Sequence, residues 1–164
     1  MTVASSGTAK VTLPTDDQIL ITREFDAPRH LVFEAYTKPE LVKRWWHANR
    51  GRVTVAEIDL RVGGKWRYVM VAEGGIEVGF HGEYREVVPN ERIVSTEAYE
   101  GLPDPDASPT VNTATFTEAD GRTTLTILVE APSKEVRDAI IESGMEDGMQ
   151  DALDLLEQVA VSLR

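Results

Sequence analysis

Cysteine is absent from the 164 residues, which removes disulfides, thiolate metal sites and a cysteine nucleophile together. No apolar run approaches the roughly 20 residues that span a bilayer. Residues 1–17 have neither a basic start nor an apolar h-region, so a cytoplasmic protein is the expectation. Basic side chains are few: 17 Lys and Arg against 28 Asp and Glu leave a net charge of −11. That surplus repels phosphate backbones and anionic headgroups, and the basic residues are dispersed, so neither nucleic acid nor membrane is an expected partner. Histidine is scarce as well. His30, His47 and His81 sit in different elements without short ligand spacing, which points away from a metal centre. No serine occupies a nucleophile elbow and no glycine-rich phosphate loop follows a strand, so the sequence assigns no catalytic residue and implies no cofactor.

What is present is enough apolar material for one core. Residues 1–17 are small and polar and read as a flexible arm, leaving one domain over 18–162. Ile19, Ile21, Arg23 and Phe25 share one parity of a first strand. Pro28 opens a helix, with Asp26 placed to meet its free amides, and Leu31, Val32, Ala35 and Tyr36 form the helix's apolar stripe. Thr37 and Glu40 have the spacing of a capping box around Pro39, which starts a short second helix ending at Trp45-Trp46. From Gly51 the period becomes two. Strands are read over 52–60, 65–72, the return after Gly74-Gly75, 92–98, 112–118 and 123–129, with turns at Pro89-Asn90 and Asp120-Gly121. Ser133 then caps a helix read as continuous to about Ser162, whose broad apolar face needs a partner of similar length. Seven strands, interrupted after the first by two short helices, can curve around it. The fold class is therefore α+β: a β-α-α-β6-α helix-grip arrangement, with a curved seven-stranded antiparallel sheet around a long C-terminal helix. A parallel nucleotide-binding sheet would demand helices between most strands, and they are missing.

The segments Glu24-Phe25-Asp26-Ala27-Pro28, Thr37-Lys38-Pro39-Glu40 to Trp45-Trp46, Asp59 to Trp66, Gly82 to Ile93, and Gly144-Met145-Glu146-Asp147-Gly148 together resemble the family named for homologues of the activator of Hsp90 ATPase. That family lies in the START-like, or Bet v 1-like (SRPBCC), helix-grip superfamily. The resemblance covers about residues 18–160. It implies a cavity between sheet and helix, and a superfamily of lipid carriers, hormone binders, cyclases and ring-hydroxylating subunits among which fold alone does not choose.

Candidate ligand-binding residues follow from faces. Trp45 and Trp46 differ by about 100° on a helix, so one can pack inward while the other faces a cavity mouth or solvent; Trp46 is read either as core packing or as a ligand or partner contact. Trp66, Tyr68, Phe80 and Tyr84 fall on consistent strand faces and offer flat apolar contact, although such rings are also ordinary core filling. Met145 and Met149, four apart, add adaptable thioethers. His81 points, by parity, away from Phe80 and is either a ligand contact or a plain surface residue. Gly144 and Gly148 weaken a helix by roughly 1 kcal/mol each, so they are expected to make room for a ligand or for close sheet contact. The irregular stretch 99–110, rich in proline, is read as a lid. The leading expectation is binding of a small, mainly apolar ligand between sheet and helix, without catalysis. Two alternatives use the same surfaces: a cyclase, dehydratase or hydrolase, with His81 or Glu83 as weak nominees, and a cochaperone-like protein-binding module. Homodimerisation through a sheet edge or helix face is left open.

Overall fold

The computed structural model describes the backbone of residues 2–3 and the chain from residue 9 to residue 164. Its strands are β1 (Thr2–Val3), β2 (Lys10–Thr12), β3 (Gln18–Phe25), β4 (Gly51–Ile58), β5 (Lys65–Ala72), β6 (Glu77–Val88), β7 (Arg92–Tyr99), β8 (Thr110–Ala119) and β9 (Arg122–Glu130). Helices α1 (Arg29–Thr37) and α2 (Pro39–Val42) separate β3 from β4, and α3 (Lys134–Glu142) and α4 (Met145–Ser162) close the chain. All strand pairs are antiparallel in a single sheet of order β1-β2-β3-β9-β8-β7-β6-β5-β4. The β-α-α-β6-α frame runs from β3 to the C-terminal helices, and the sheet wraps around the latter.

The register shows which residues share the concave face. Ile19, Ile21 and Phe25 stand beside Val129, Ile127 and Thr123, and the same layer continues through Ala114 and Phe116. Across the sheet, α4 buries Leu153, Leu156, Val159 and Ala160. Each larger apolar side chain so removed from water contributes about 2 kcal/mol. The layer also holds a cation. Arg23 is only 3% exposed, and its guanidinium reaches Asp154 at 2.8 Å and Glu157 at 3.4 Å on α4 while lying 4.6 Å from the Phe25 ring centroid.

Four expectations need correction. The sheet has nine strands rather than seven, because part of the N-terminal arm is ordered: Lys10, Val11 and Thr12 pair with Thr22, Ile21 and Leu20. Gln150 holds Ala9 through both its backbone groups, at 3.1 and 2.9 Å, and so ties this edge to α4. Pairing covers the otherwise open edge of β3. Residues 4–8 of the arm lie outside the described residues.

Asp26 does not cap α1. Its carboxylate pairs with Arg122, and the free amide of Arg29 is met instead by Glu118 from β8–β9, at 2.7 Å. The Thr37–Glu40 capping box does not form either. Lys38 is extended between the two helices, and the Thr37 hydroxyl turns back to the Phe33 carbonyl at 2.7 Å.

The C-terminal helix is broken. Ser133 does cap its start, accepting from the Val136 amide at 3.2 Å. At Gly144, however, φ is +83°, a left-handed angle that ends α3 and restarts the chain as α4. Neither glycine is forced by close sheet contact, since a Cβ at Gly144 or at Gly148 would meet no atom within 4 Å. The two positions should therefore respond oppositely to one substitution. Gly144→Ala is expected to destabilise by about 1 kcal/mol through its backbone angle, whereas Gly148→Ala, in a regular helix, should stabilise by up to about 1 kcal/mol. Urea unfolding of both variants checks this; equal signs would refute it.

Candidate functional site

Sheet parity builds the site. Tyr68 on β5 lies opposite Phe80 on β6, and Trp66 opposite Gly82. The chain leaving α2 carries the two tryptophans in different directions. Trp45 is buried and donates its indole N–H to the Ala35 carbonyl at 2.9 Å. Trp46 enters the hollow and meets Tyr68 and Phe80 edge-on, with centroid separations of 5.5 and 5.9 Å. Tyr99 at the end of β7 packs on the other side of Phe80, at 5.1 Å. The result is a continuous aromatic lining. Met145 and Met149 of α4 are half-buried against the same core.

Trp66 and Tyr84 belong to the walls rather than to the open floor, being 8% and 5% exposed. The Trp66 indole crosses over Gly82 to donate to the Thr96 carbonyl at 3.1 Å, and a side chain at position 82 would strike both groups. The structure thus brings Trp46, Trp66, Tyr68, Phe80, Tyr84, Met145 and Met149 to one side of the sheet.

His81 is separated from them. It alternates away from Phe80 onto the opposite face beside Arg67, so it cannot orient anything in the hollow, and its place among the ligand-lining residues is corrected. Glu83, of the same parity as His81, likewise stands exposed on the far side.

The hollow has a polar end that the sequence reading missed. Glu97 of β7 has the parity of Tyr99, and Asn112 of β8 lies opposite its strand neighbour Ser95. Asn112 Nδ2 donates to Glu97 Oε1 at 2.7 Å, while Asn112 Oδ1 is buried without a hydrogen-bond partner. Burial raises the Glu97 carboxyl above its ordinary range, and the bond from Asn112 only partly opposes that. Burial likewise raises the phenols of Tyr36, Tyr68 and Tyr84, with the Glu97 charge adding to the first two. Yet Glu97, Tyr36 and Tyr68 each retain some accessible surface.

Two open surface depressions are present, the second of them reaching Trp66 and Gly82. One, of about 480 Å³, includes Lys10, Arg122 and Glu157; the other, of about 370 Å³, includes Lys65, Arg67 and His81. Both are flanked by charges, and neither includes Trp46, Tyr68 or Phe80.

On the outer face, His81 forms a separate cluster. Its Nδ1 lies 2.8 Å from Glu100 Oε2 and its Nε2 2.6 Å from Asp106 Oδ1, while Arg67 holds Glu100 by two bonds of 2.9 and 3.0 Å. Gly79 makes the room, since a Cβ there would collide with the Glu100 carboxylate. Only the imidazolium can donate from both ring nitrogens, so this geometry favours the protonated ring. The Asp106 and Glu100 bonds accordingly raise the His81 pKa, and the Arg67 bond leads in lowering that of Glu100 to about 2. Asp106 belongs to the segment 100–109 between β7 and β8, so His81 pins that loop to the sheet.

Among the described residues no group of three or more acids and histidines converges as a metal site. The sign of the loop contact's pH dependence follows from the raised His81 pKa. The contact is fully present below the ordinary histidine value near 6.5 and is lost as pH rises through the higher folded value. Hydrogen exchange in 101–109, corrected for its intrinsic pH dependence, should therefore increase from pH 6 to pH 9 in the wild type. In His81→Gln it should be uniformly fast, with no such step; a step that survives the substitution would assign it elsewhere.

Comparison with solved structures finds the same architecture in proteins from several bacteria. A Rhodobacter sphaeroides protein superposes with a TM-score of 0.86 at 24% identity, over 95% of this chain and 99% of that one, a likeness of fold alone. A Staphylococcus epidermidis protein gives 0.79 at 29% identity, over 93% and 94% of the two chains. One from Chromobacterium violaceum gives 0.76 at 28%, over 89% and 98%. No curated protein matches the sequence. The family model described as activator of Hsp90 ATPase homolog 1-like protein matches residues 26–160, and the chain belongs to that family, within the START-like, Bet v 1-like superfamily.

Proposed function

We propose that the chain binds a small, mainly apolar molecule in the hollow between the sheet and α4. The observation that carries this reading is the group of Trp46, Tyr68 and Phe80, where half-buried rings meet edge-on against the core. Apolar contact there would contribute about 25 cal/mol per Å² removed from water. Trp46 sits on the irregular chain after α2, so it can swing away without unpairing a strand. A ligand would take its place against Tyr68 and Phe80.

Glu97 favours a second reading. A carboxyl with raised pKa inside an aromatic crevice is suited to hold a proton for transfer, which a cyclase, dehydratase or hydrolase would use. A cochaperone-like contact through Trp46 has less support, because that ring is turned onto Tyr68 and Phe80.

Gly148 supplies the test. It lies one turn from Met145 and Ala152, which pack on the core, and a side chain there would enter open space. Gly148→Leu should keep the thermal midpoint close to that of the wild type while weakening apolar ligands about tenfold or more, an effect of 1.4 kcal/mol. Native mass spectrometry of cell-extracted protein and a fragment panel followed on the Trp46 indole resonance supply the ligands. If purified protein repeatedly carries nothing and no fragment moves that resonance, the binding reading fails.

A further inference from the structure

The polar end of the hollow has an unbalanced chemistry. The Glu97 side chain accepts one hydrogen bond, from a neutral amide, and among the described residues it makes no ion pair with Lys, Arg or His. Burial, the Asn112 bond and nothing cationic set its acidity. A buried carboxylate normally requires a positive partner and further donors to offset its lost hydration. Asn112 adds a second unmet demand, since its Oδ1 is a buried acceptor without a donor. The surroundings are aromatic: Tyr36 packs on Trp45 and Phe116 at 5.6 Å each, and Tyr68 lies between Trp66 at 4.9 Å and Trp46 at 5.5 Å. What is missing is a cation that donates hydrogen bonds and tolerates aromatic faces.

We infer that the ligand of the hollow is an amine: an apolar, ring-bearing molecule whose ammonium end pairs with Glu97 and donates to Asn112 Oδ1. This rests on the reading of the hollow as an apolar binding site and names what that site selects. An ammonium group offsets the charge of the carboxylate and supplies the donor that Asn112 lacks, and aromatic rings stabilise it further. An alcohol would satisfy Asn112 but leave the carboxylate uncompensated. A carboxylic acid would bring like charge to Glu97 in a desolvated place. The net charge of −11 acts in the same direction at longer range, drawing cations to the surface.

The experiment is calorimetric titration of the full chain at neutral pH with 2-phenylethylamine, 2-phenylethanol and phenylacetate, and with the corresponding naphthyl series. The amine is expected to bind about tenfold or more tightly than its alcohol, with the acid weakest. In Glu97→Gln, which keeps shape and hydrogen bonding but not charge, the amine-to-alcohol ratio should fall to roughly threefold or less. Alcohols that bind as well as amines, or a preference that survives in Glu97→Gln, would overturn the assignment while leaving an apolar site in place. No binding by any member would overturn both. The wild-type ranking stands as a test even if the variant does not fold.

Discussion

A strongly twisted antiparallel sheet leaves one face concave and apolar, and no strand of the same sheet can cover that face. Covering it falls to α4, with Leu153, Leu156, Val159 and Ala160 buried against β3, β9 and β8. Because the helix is tied to β3 and to Ala9, the N-terminal and C-terminal parts of the chain are committed together. Arg23 marks the seam: a cation on an apolar strand face, held by two acids of α4. Gln150 repeats the device one turn nearer the start of the helix, clasping Ala9 and so the added edge strand. The rest of the hollow depends on this closure, since α1 packs on α4 and places the following chain where Trp46 can enter.

Strand β7 links the two clusters of titratable groups. Its alternation sends Glu97 and Tyr99 inward, while Ala98 and Glu100 face out. Glu97 thus meets Asn112 and the tyrosines, and three residues later Glu100 meets Arg67 and His81 on the other side. The opposite pKa shifts of these two glutamates follow from placement alone. One has only a neutral amide for company and is raised; the other has a guanidinium and an imidazole and is lowered to about 2. Tyr99, between them, touches Phe80, so the pinned loop and the aromatic hollow share a wall.

Period-two alternation made the order of elements legible in the sequence, together with the common face of Trp66, Tyr68 and Phe80 and the outward turn of His81. It did not reveal Glu97. A glutamate among 28 acidic residues carries no mark of burial, and Ser95-Thr96-Glu97 reads as a solvated stretch of strand. Its partner Asn112 comes from another strand, fifteen residues away, and only register brings them together. Strand β2 escaped because three residues give alternation too little length to register. The capping box failed for a different reason. Its spacing is correct, but Pro39 forces Lys38 out of the helical region, and the Thr37 hydroxyl then finds its own preceding turn. The break at Gly144 is half legible: a glycine in a helix-forming segment stands out, yet a helical glycine and a left-handed one look alike in sequence.

Stability alone gives no reason for Glu97 and Asn112. Their hydrogen bond leaves one amide oxygen buried and unmet and one carboxyl raised by desolvation, and apolar residues of similar volume would close that part of the hollow without either cost. The neighbouring positions show that the fold has apolar solutions available, since Ala114 and Phe116 on β8 are buried without polar company. Arg23 offers the contrast of a buried charge with its counter-charges built in. A polar pair that the fold does not complete is what the proposed ligand would complete. It also bears on the choice between binding and catalysis. A carboxyl that only holds a cation needs its charge, whereas one that transfers a proton needs its acidity near the working pH, so how far the raised pKa returns when a ligand binds separates the two roles.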